Sequence, residues 1–304
     1  MITLLLGKNG QIGWELQRAL APLGPLIALD RKGDGDLSAD LTDLGGLRQT
    51  VRRLKPSLIV NAAAYTAVDQ AEQDRELANQ INAEAPRVLA EEAKELGALL
   101  VHYSTDYVFD GSGAQPWREE DPVAPLNHYG ATKLAGERAI QASGACHLIF
   151  RTSWVYAARG RNFLATMSKL IQERDALSVI NDQVGAPTGA ELIADVTAHV
   201  VRHTKLDPEL QGLYHLVADG EISWHGYAVF VLECLQAQGS KVLLSQSGIK
   251  PVPTTAWPTT AQRPLNSRLA TTKLAQAFRL QLPSWQVGVE RALVERQDFI
   301  KRQD

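Results

Sequence analysis

ITLLLGKNGQIGWELQRAL, residues 2–20, carries the reading that decides the fold. An apolar run of strand length, Ile2 to Leu6, ends directly on Gly7. Gly7, Gly10 and Gly13 then lead into Gln11 to Leu20, whose apolar residues recur three and four apart. A strand, a glycine turn and a helix in that order predict a loop whose backbone amides and helix dipole face a pyrophosphate, with glycine permitting the close approach. The G-x-x-G-x-x-G spacing is weak evidence by itself, because three glycines also serve a purely structural turn.

The rhythm continues outward from this stretch. Leu26 to Leu29, Leu58 to Val60, Leu99 to Tyr103 and His147 to Phe150 are further apolar runs of strand length. Between them Asp43 to Leu54, Asp69 to Leu96 and His128 to Gln141 carry helical periodicity, the long middle one expected to break near Pro86. Strands so uniformly apolar are expected where helices cover both faces of a parallel sheet, so the fold class is α/β, a Rossmann-type doubly wound sheet. After Arg151 the alternation loosens among Pro- and Gly-containing joints. The expected division is a mainly dinucleotide-binding domain over 1–152 and a smaller substrate-binding lobe over 153–304, with some segments returning to the first domain. The last segment, from Pro283 onward, reads as a helix with a polar tail.

Composition narrows the function. A formal net charge of -3 over 304 residues lacks the clustered Lys/Arg surplus that phosphate neutralisation needs, which argues against nucleic acid as a partner. Only Cys146 and Cys234 are present, with no CxxC or Cys/His cluster, so neither a disulfide framework nor a structural zinc site is expected. No apolar stretch approaches the roughly 18 residues of a membrane span, and the chain start lacks a basic n-region, so a cytoplasmic protein is expected.

Several residues extend the dinucleotide reading. Asp30 closes the second strand about 20 residues beyond the glycines, where an acid meets ribose hydroxyls and favours NADH. Arg31 and Lys32 follow it and could approach a 2′-phosphate, so NADPH is expected to be tolerated. Ala62, Ala63 and Ala64 leave room for a ligand at the carboxyl edge of the third strand, and Asp40 and Leu41 are candidate neighbours of the adenine. Gln11 and Ile12 at the start of the helix, Tyr65 and Thr66 after the alanines, and Tyr103 complete the expected cofactor-binding set.

Tyr129 and Lys133 stand four apart in a predicted helix and so project from one face. A free phenol titrates near pH 10, and readying it for proton exchange near pH 7 takes a shift of about three units, roughly 4 kcal/mol. Lys133 together with an oxidised nicotinamide would supply that shift. Ser104, Thr105 and Asp106 end the fourth strand upstream, placing hydroxyls at the sheet edge. A lone Tyr-x-x-x-Lys is more often a surface pair, and a Ser-Thr pair often only starts a turn.

Seven segments carry a resemblance over nearly the whole chain: GKNGQIGWEL (7–16), VNAAAYTAVDQAE (60–72), YSTDYVFDG (103–111), YGATKLAGE (129–137), RTSWVY (151–156), GAPTGAELIAD (185–195) and RPLNSRL (263–269). Together they resemble the extended short-chain dehydrogenase/reductase superfamily and, within it, the dTDP-4-dehydrorhamnose reductase family. The resemblance implies a catalytic triad of Thr105, Tyr129 and Lys133, with Ser104 the alternative first member. It implies contacts from Ser104, Thr105, Asp106, Trp154, Asn162 and Arg263 to a dTDP-linked 4-keto-6-deoxysugar, NADH or NADPH as cofactor, and reduction of that sugar to dTDP-L-rhamnose for cell-surface polysaccharide such as O antigen. A homodimer is also implied, with Mg2+ on Glu15, Glu191 and Glu295.

Two rivals share parts of this pattern. A nucleotide-sugar 4,6-dehydratase resembles Thr-Asp-Glu where this chain has Thr105, Asp106 and Tyr107, and without the glutamate the elimination lacks its second acid/base partner. An epimerase is harder to separate. A non-catalytic NAD(P)-binding regulatory subunit is the other class, and the intact Tyr129 and Lys133 argue against it.

Overall fold

A computed structural model describes residues 2–301. The first half alternates strand and helix: β1 (Thr3–Leu6), α1 (Gln11–Leu20), β2 (Leu26–Leu29), α2 (Leu44–Leu54), β3 (Leu58–Asn61), α3 (Arg75–Asn79), α4 (Ala85–Leu96), β4 (Leu99–Thr105), α5 (His128–Ser143) and β5 (His147–Thr152). The second half holds β6 (Val155–Tyr156), α6 (Phe163–Glu173), β7 (Leu177–Ile180), β8 (Val184–Gly185), β9 (Thr188–Gly189), α7 (Ala190–Leu206), β10 (Gly212–His215), β11 (Ile222–Ser223), α8 (Trp224–Ala237), β12 (Ile249–Val252), α9 (Thr272–Phe278) and α10 (Trp285–Lys301). The polar tail expected beyond α10 falls in 302–304, outside the described residues.

Six strands form one parallel sheet in the order β2-β1-β3-β4-β5-β10. Winding starts at β1, goes out to β2, then crosses to β3 on the other side. Such a reversal opens a crevice at the carboxyl ends of the strands, where open α/β sheets bind ligands. Side chains alternate across the pleat, so one strand feeds two cores. Leu5, Val60, Val101 and Phe150 face α1, α7 and α9, while Leu4, Leu6, Ile59, Leu100 and Ile149 face α2, α4 and α5. A third core, including Tyr156, Leu164, Tyr227, Leu232 and Trp285, joins α6, α8 and α10. Full burial of each such side chain contributes about 1.5–3 kcal/mol.

Two local expectations are corrected. β2 is an edge strand, and Leu26, Ile27 and Ala28 are only half-buried rather than covered on both faces. The helical stretch does not break at Pro86. A π-helical turn over Gln80–Glu84 joins α3 to α4, and Pro86 stands in the first turn of α4. The extra residue in that turn buries Asn82, whose amide donates to Tyr65 O (3.0 Å) and Thr132 Oγ1 (3.2 Å) and accepts from Tyr65 N (2.9 Å).

Candidate active site

The crevice at the switch point opens into a cavity of about 690 Å³. Its floor is the glycine turn. Gly7 has φ +88°, and a Cβ there would lie 2.9 Å from Ala63 N, so a side chain would collide with the alanine run as well as strain the backbone. Gly13 sits beneath, where a Cβ would approach Gly7 O to 2.0 Å, so this glycine sets how closely α1 packs on the turn. Gly10 caps α1 with no side-chain hydrogen bond, and the helix amides stay directed at the cavity.

Most of the expected cofactor set lines this cavity: Gly7, Gly10, Gln11, Ile12, Asp30, Ala62, Ala63, Ala64, Thr66, Tyr103, Tyr129 and Lys133, with Ser104 beside them. The Asp30 carboxylate takes Asn9 Nδ2 at 2.6 Å and Lys32 N at 2.9 Å, which holds it at the rim. The alanine run, the open helix end and this carboxylate fit a dinucleotide.

Four residues of the set do not line the cavity. Gly13 acts from below. Leu41 is buried in the core, and Asp40 turns its carboxylate to Thr42 and Arg31. Tyr65 is held by Asn82 through its backbone and by Asp74 through its hydroxyl. Sequence reading left out Asn9, Thr152 and Val155, which also line the cavity. Thr152 was detectable by register, since it pairs with Thr105 at the same edge of the sheet.

Tyr129 and Lys133 occupy the first turns of α5. The helix starts here because Asn127 Oδ1 accepts from Gly130 N at 2.8 Å, an N-cap that leaves Tyr129 inside the first turn. A buried ion pair, Arg151 Nη2 to Glu137 Oε2 at 2.7 Å, fastens α5 to β5. Lys133 is buried, whereas Tyr129 is half-buried at the cavity wall. Lys133 Nζ donates to Tyr103 O at 2.6 Å and lies 3.1 Å from His102 Nε2, and burial pushes its ammonium down to about 8.

The protein alone does not prepare the phenol as the spacing suggests. Burial pushes Tyr129 up, a hydrogen bond with Thr105 opposes this, and the charge of Asp106 adds to the rise. Lys133 does not offset this rise, its Nζ being turned toward the Tyr103 carbonyl and His102. Asp106 is itself raised to about 7 by burial, against hydrogen bonds from Ser267 and Thr105. Thr105 Oγ1 donates to Asp106 Oδ1 at 3.1 Å and accepts from Tyr107 N at 3.2 Å. Among the described residues, Ser104 Oγ and Thr152 Oγ1, both on the cavity lining, are buried without a hydrogen-bond partner. Buried polar atoms clustered at a cavity are suited to a polar ligand.

The remaining expected substrate contacts surround this centre. Trp154 adopts φ +49° and stacks on Trp224 with ring centroids 3.5 Å apart, outside the lining of the main cavity. A non-glycine residue held there is strained, a feature frequent at ligand sites. Asn162 caps α6 and donates to Gln11 Oε1 at 2.8 Å, linking the second half to the glycine turn. Arg263 pairs with Asp69 and donates to Tyr107 Oη at 3.3 Å, and Tyr107 meets Tyr129 edge to face at 5.7 Å.

The three glutamates expected to hold magnesium do not form a metal site. Arg291 pairs with both Glu191 and Glu295, and Glu15 faces Arg18. No group of three or more His, Cys, Asp or Glu among the described residues could hold a metal ion. The acids are close enough that Glu15 and Glu295 raise Glu191, after burial as the main cause, but Arg291 occupies the position of the counter-charge.

Fold and cavity define a nicotinamide-dependent oxidoreductase of the extended short-chain dehydrogenase/reductase class. A family model described as the RmlD substrate binding domain matches residues 1–297. The dTDP-4-dehydrorhamnose reductase of Shigella flexneri is 56% identical over 295 residues, 97% of this chain and 98% of that protein. The crystal structure of dTDP-4-dehydrorhamnose reductase from Bacillus anthracis in complex with NADP superimposes with a TM-score of 0.85 at 36% identity, covering 97% of this chain and 99% of that one. An orthologue from Clostridium acetobutylicum gives a TM-score of 0.86 at 34% identity over 98% and 100% of the two chains. This chain belongs to the dTDP-4-dehydrorhamnose reductase family.

Proposed function

We infer that the chain reduces the 4-keto group of dTDP-6-deoxy-L-lyxo-4-hexulose with NADH or NADPH to give dTDP-L-rhamnose. The observation that carries this reading is the convergence of Tyr129, Lys133 and the unpartnered Ser104 hydroxyl on one cavity floored by a dinucleotide turn, in a chain of this family.

The glycine turn and the α1 amides hold the pyrophosphate, Asp30 receives the adenosine ribose, and Ala62 to Ala64 make room for the bound dinucleotide. When bound, the reduced nicotinamide supplies the hydride. Thr105, with Ser104 the alternative, orients and polarises the sugar carbonyl. Tyr129 delivers its phenolic proton to O4 as negative charge develops there, and Lys133 returns a proton to the tyrosine. The raised affinity of the phenol for its proton suits a group that must hold it until the carbonyl oxygen becomes basic. Trp154, Asn162 and Arg263 are assigned to the sugar and its diphosphate. The division into a cofactor domain over 1–152 and a substrate lobe over 153–304 belongs to the same proposal, as do the homodimer, the cytoplasmic setting and the supply of rhamnose for cell-surface polysaccharide such as lipopolysaccharide. No helix among the described residues is long and apolar enough to cross a membrane.

Purified protein mixed with NADH or NADPH and enzymatically prepared 4-keto sugar should oxidise the nicotinamide and form dTDP-L-rhamnose. Tyr129→Phe should lower kcat by about 10²–10⁴-fold while cofactor affinity stays within a few-fold. Cofactor binding with no turnover on the sugar would reject the reading in favour of the regulatory alternative.

A further inference from the structure

Lys133 ends a buried hydrogen-bond chain that the reaction as derived does not use. Asn61 at the end of β3, His102 directly beside it on β4, and Lys133 on α5 are each at most 2% exposed. Asn61 Nδ2 lies 3.3 Å from His102 Nδ1, and His102 Nε2 lies 3.1 Å from Lys133 Nζ.

The direction of every bond follows from its first member. Ala63 N donates to Asn61 Oδ1 at 3.2 Å, which turns the Nδ2 donor toward His102. His102 Nδ1 must then accept. Burial holds His102 well below its ordinary value and therefore neutral. A neutral imidazole carries one proton, so that proton is on Nε2 and faces Lys133 Nζ. An ammonium has three donors and no lone pair, whereas an amine can accept from Nε2 and still donate to Tyr103 O. With an amine at its end, the chain from Ala63 through Asn61, His102 and Lys133 to Tyr103 O donates in one direction without conflict.

We propose that Asn61 and His102 are positioning residues that keep the imidazole proton on Nε2 and thereby favour the amine over the ammonium of Lys133, lowering its proton affinity in the cofactor-free protein. Charging Lys133 places two donors face to face at His102. If the imidazole proton moves to Nδ1, the conflict moves to Asn61 instead. The other groups around Lys133 do not remove it. Tyr129 precedes it by one turn, Asp106 follows β4 and acts on Tyr129, and Glu137, one turn later, favours the charge but is held by Arg151 of β5. The proton affinity of the lysine is thus governed from β3, two residues away through hydrogen bonds.

The consequence for turnover rests on the reductase reading, but the proton assignment does not. Reduction consumes one proton, taken from Tyr129 and restored through Lys133, so it should slow as pH rises through the Lys133 titration, while the reverse oxidation, which releases that proton, should not.

The first test needs no substrate. Full-length protein labelled with 15N-histidine and 13C-lysine is titrated by NMR, with His102→Gln and Lys133→Met identifying the resonances. The expected result is a His102 ring protonated on Nε2 and a Lys133 that loses its proton well below the free-lysine value of about 10.4. Asn61→Leu frees Nδ1 to carry the proton, and His102→Gln offers an amide oxygen, so each should raise the proton affinity of Lys133 about tenfold, one pH unit. The alkaline limb of kcat for reduction should move upward by the same factor in whichever variant folds, a shift that a purely structural role would not produce. An Nδ1-protonated ring in the unmodified protein, or an unchanged Lys133 titration in the folded variants, would overturn the proposal. The expected titration without reduction of the dTDP-sugar would instead reject the reductase reading and leave this assignment standing.

Discussion

At the scale of the residue, the site is governed by burial acting on three ionisable groups in one cluster. Tyr129 is pushed up, Lys133 down to about 8, and Asp106 up to about 7. Each shift favours the uncharged form, as expected where desolvation outweighs local charges. Asp106 carries a consequence for stability. Its raised value means that the folded protein binds this proton more tightly than the unfolded chain does. Stability from this group is full below about pH 4 and declines as pH rises to about 7, by an amount on the order of 4 kcal/mol. Asp106→Asn removes the titration. Its melting temperature relative to the parent should therefore be higher at pH 8 than at pH 4. An equal offset at both values would show that the carboxyl is not held protonated.

At the scale of the element, α5 places the chemistry, and its first turn is tied to the loop before Arg263. Asn127 caps the helix through Oδ1 and donates through Nδ2 to Gln262 O at 2.8 Å. Asn127→Ala should cost about 1 kcal/mol in urea unfolding, within the range for a lost N-cap. It should also raise KM for the nucleotide sugar more than KM for NADPH, because the freed loop carries Arg263 while the glycine turn is untouched. A rise confined to NADPH would contradict this link. The π-helical turn before α4 illustrates a limit of pattern reading. Pro86 signals trouble for a helix, but whether the chain breaks or absorbs the strain depends on Asn82 finding Tyr65 and Thr132 across the structure.

At the scale of the whole molecule, the chain crosses repeatedly between its two halves. After β6 and α6 it returns through α7, which packs against α1, and through β10, which extends the sheet beside β5. Asn162 from the second half reaches Gln11 in the glycine turn. Interleaving of this kind couples the halves, so thermal unfolding should occur as one calorimetric transition. NADPH at about a hundredfold excess over its Kd should stabilise it by about 2.7 kcal/mol. Two resolved transitions, only one of them moved by NADPH, would show that the halves unfold independently.

The parallel sheet, the dinucleotide turn and the pair Tyr129 and Lys133 are all legible in the sequence, because each depends on local spacing: a strand running into glycines, or two side chains one helical turn apart. The strand reading also places Thr105 and Asp106 at the sheet edge, and the family resemblance adds their roles and Arg263, which no periodicity singles out. What only the tertiary structure decided are contacts between distant segments. Asp40 and Leu41 fall away from the cavity because one caps a turn and the other fills the core. Arg291 comes between glutamates from α7 and α10. His102 reads in sequence as one polar residue in an apolar strand, and its place beside Lys133 exists only once β4 packs against α5. Local order follows from propensity and periodicity along the chain, whereas proton positions and counter-charges depend on which groups are buried together, and burial is a property of the assembled fold.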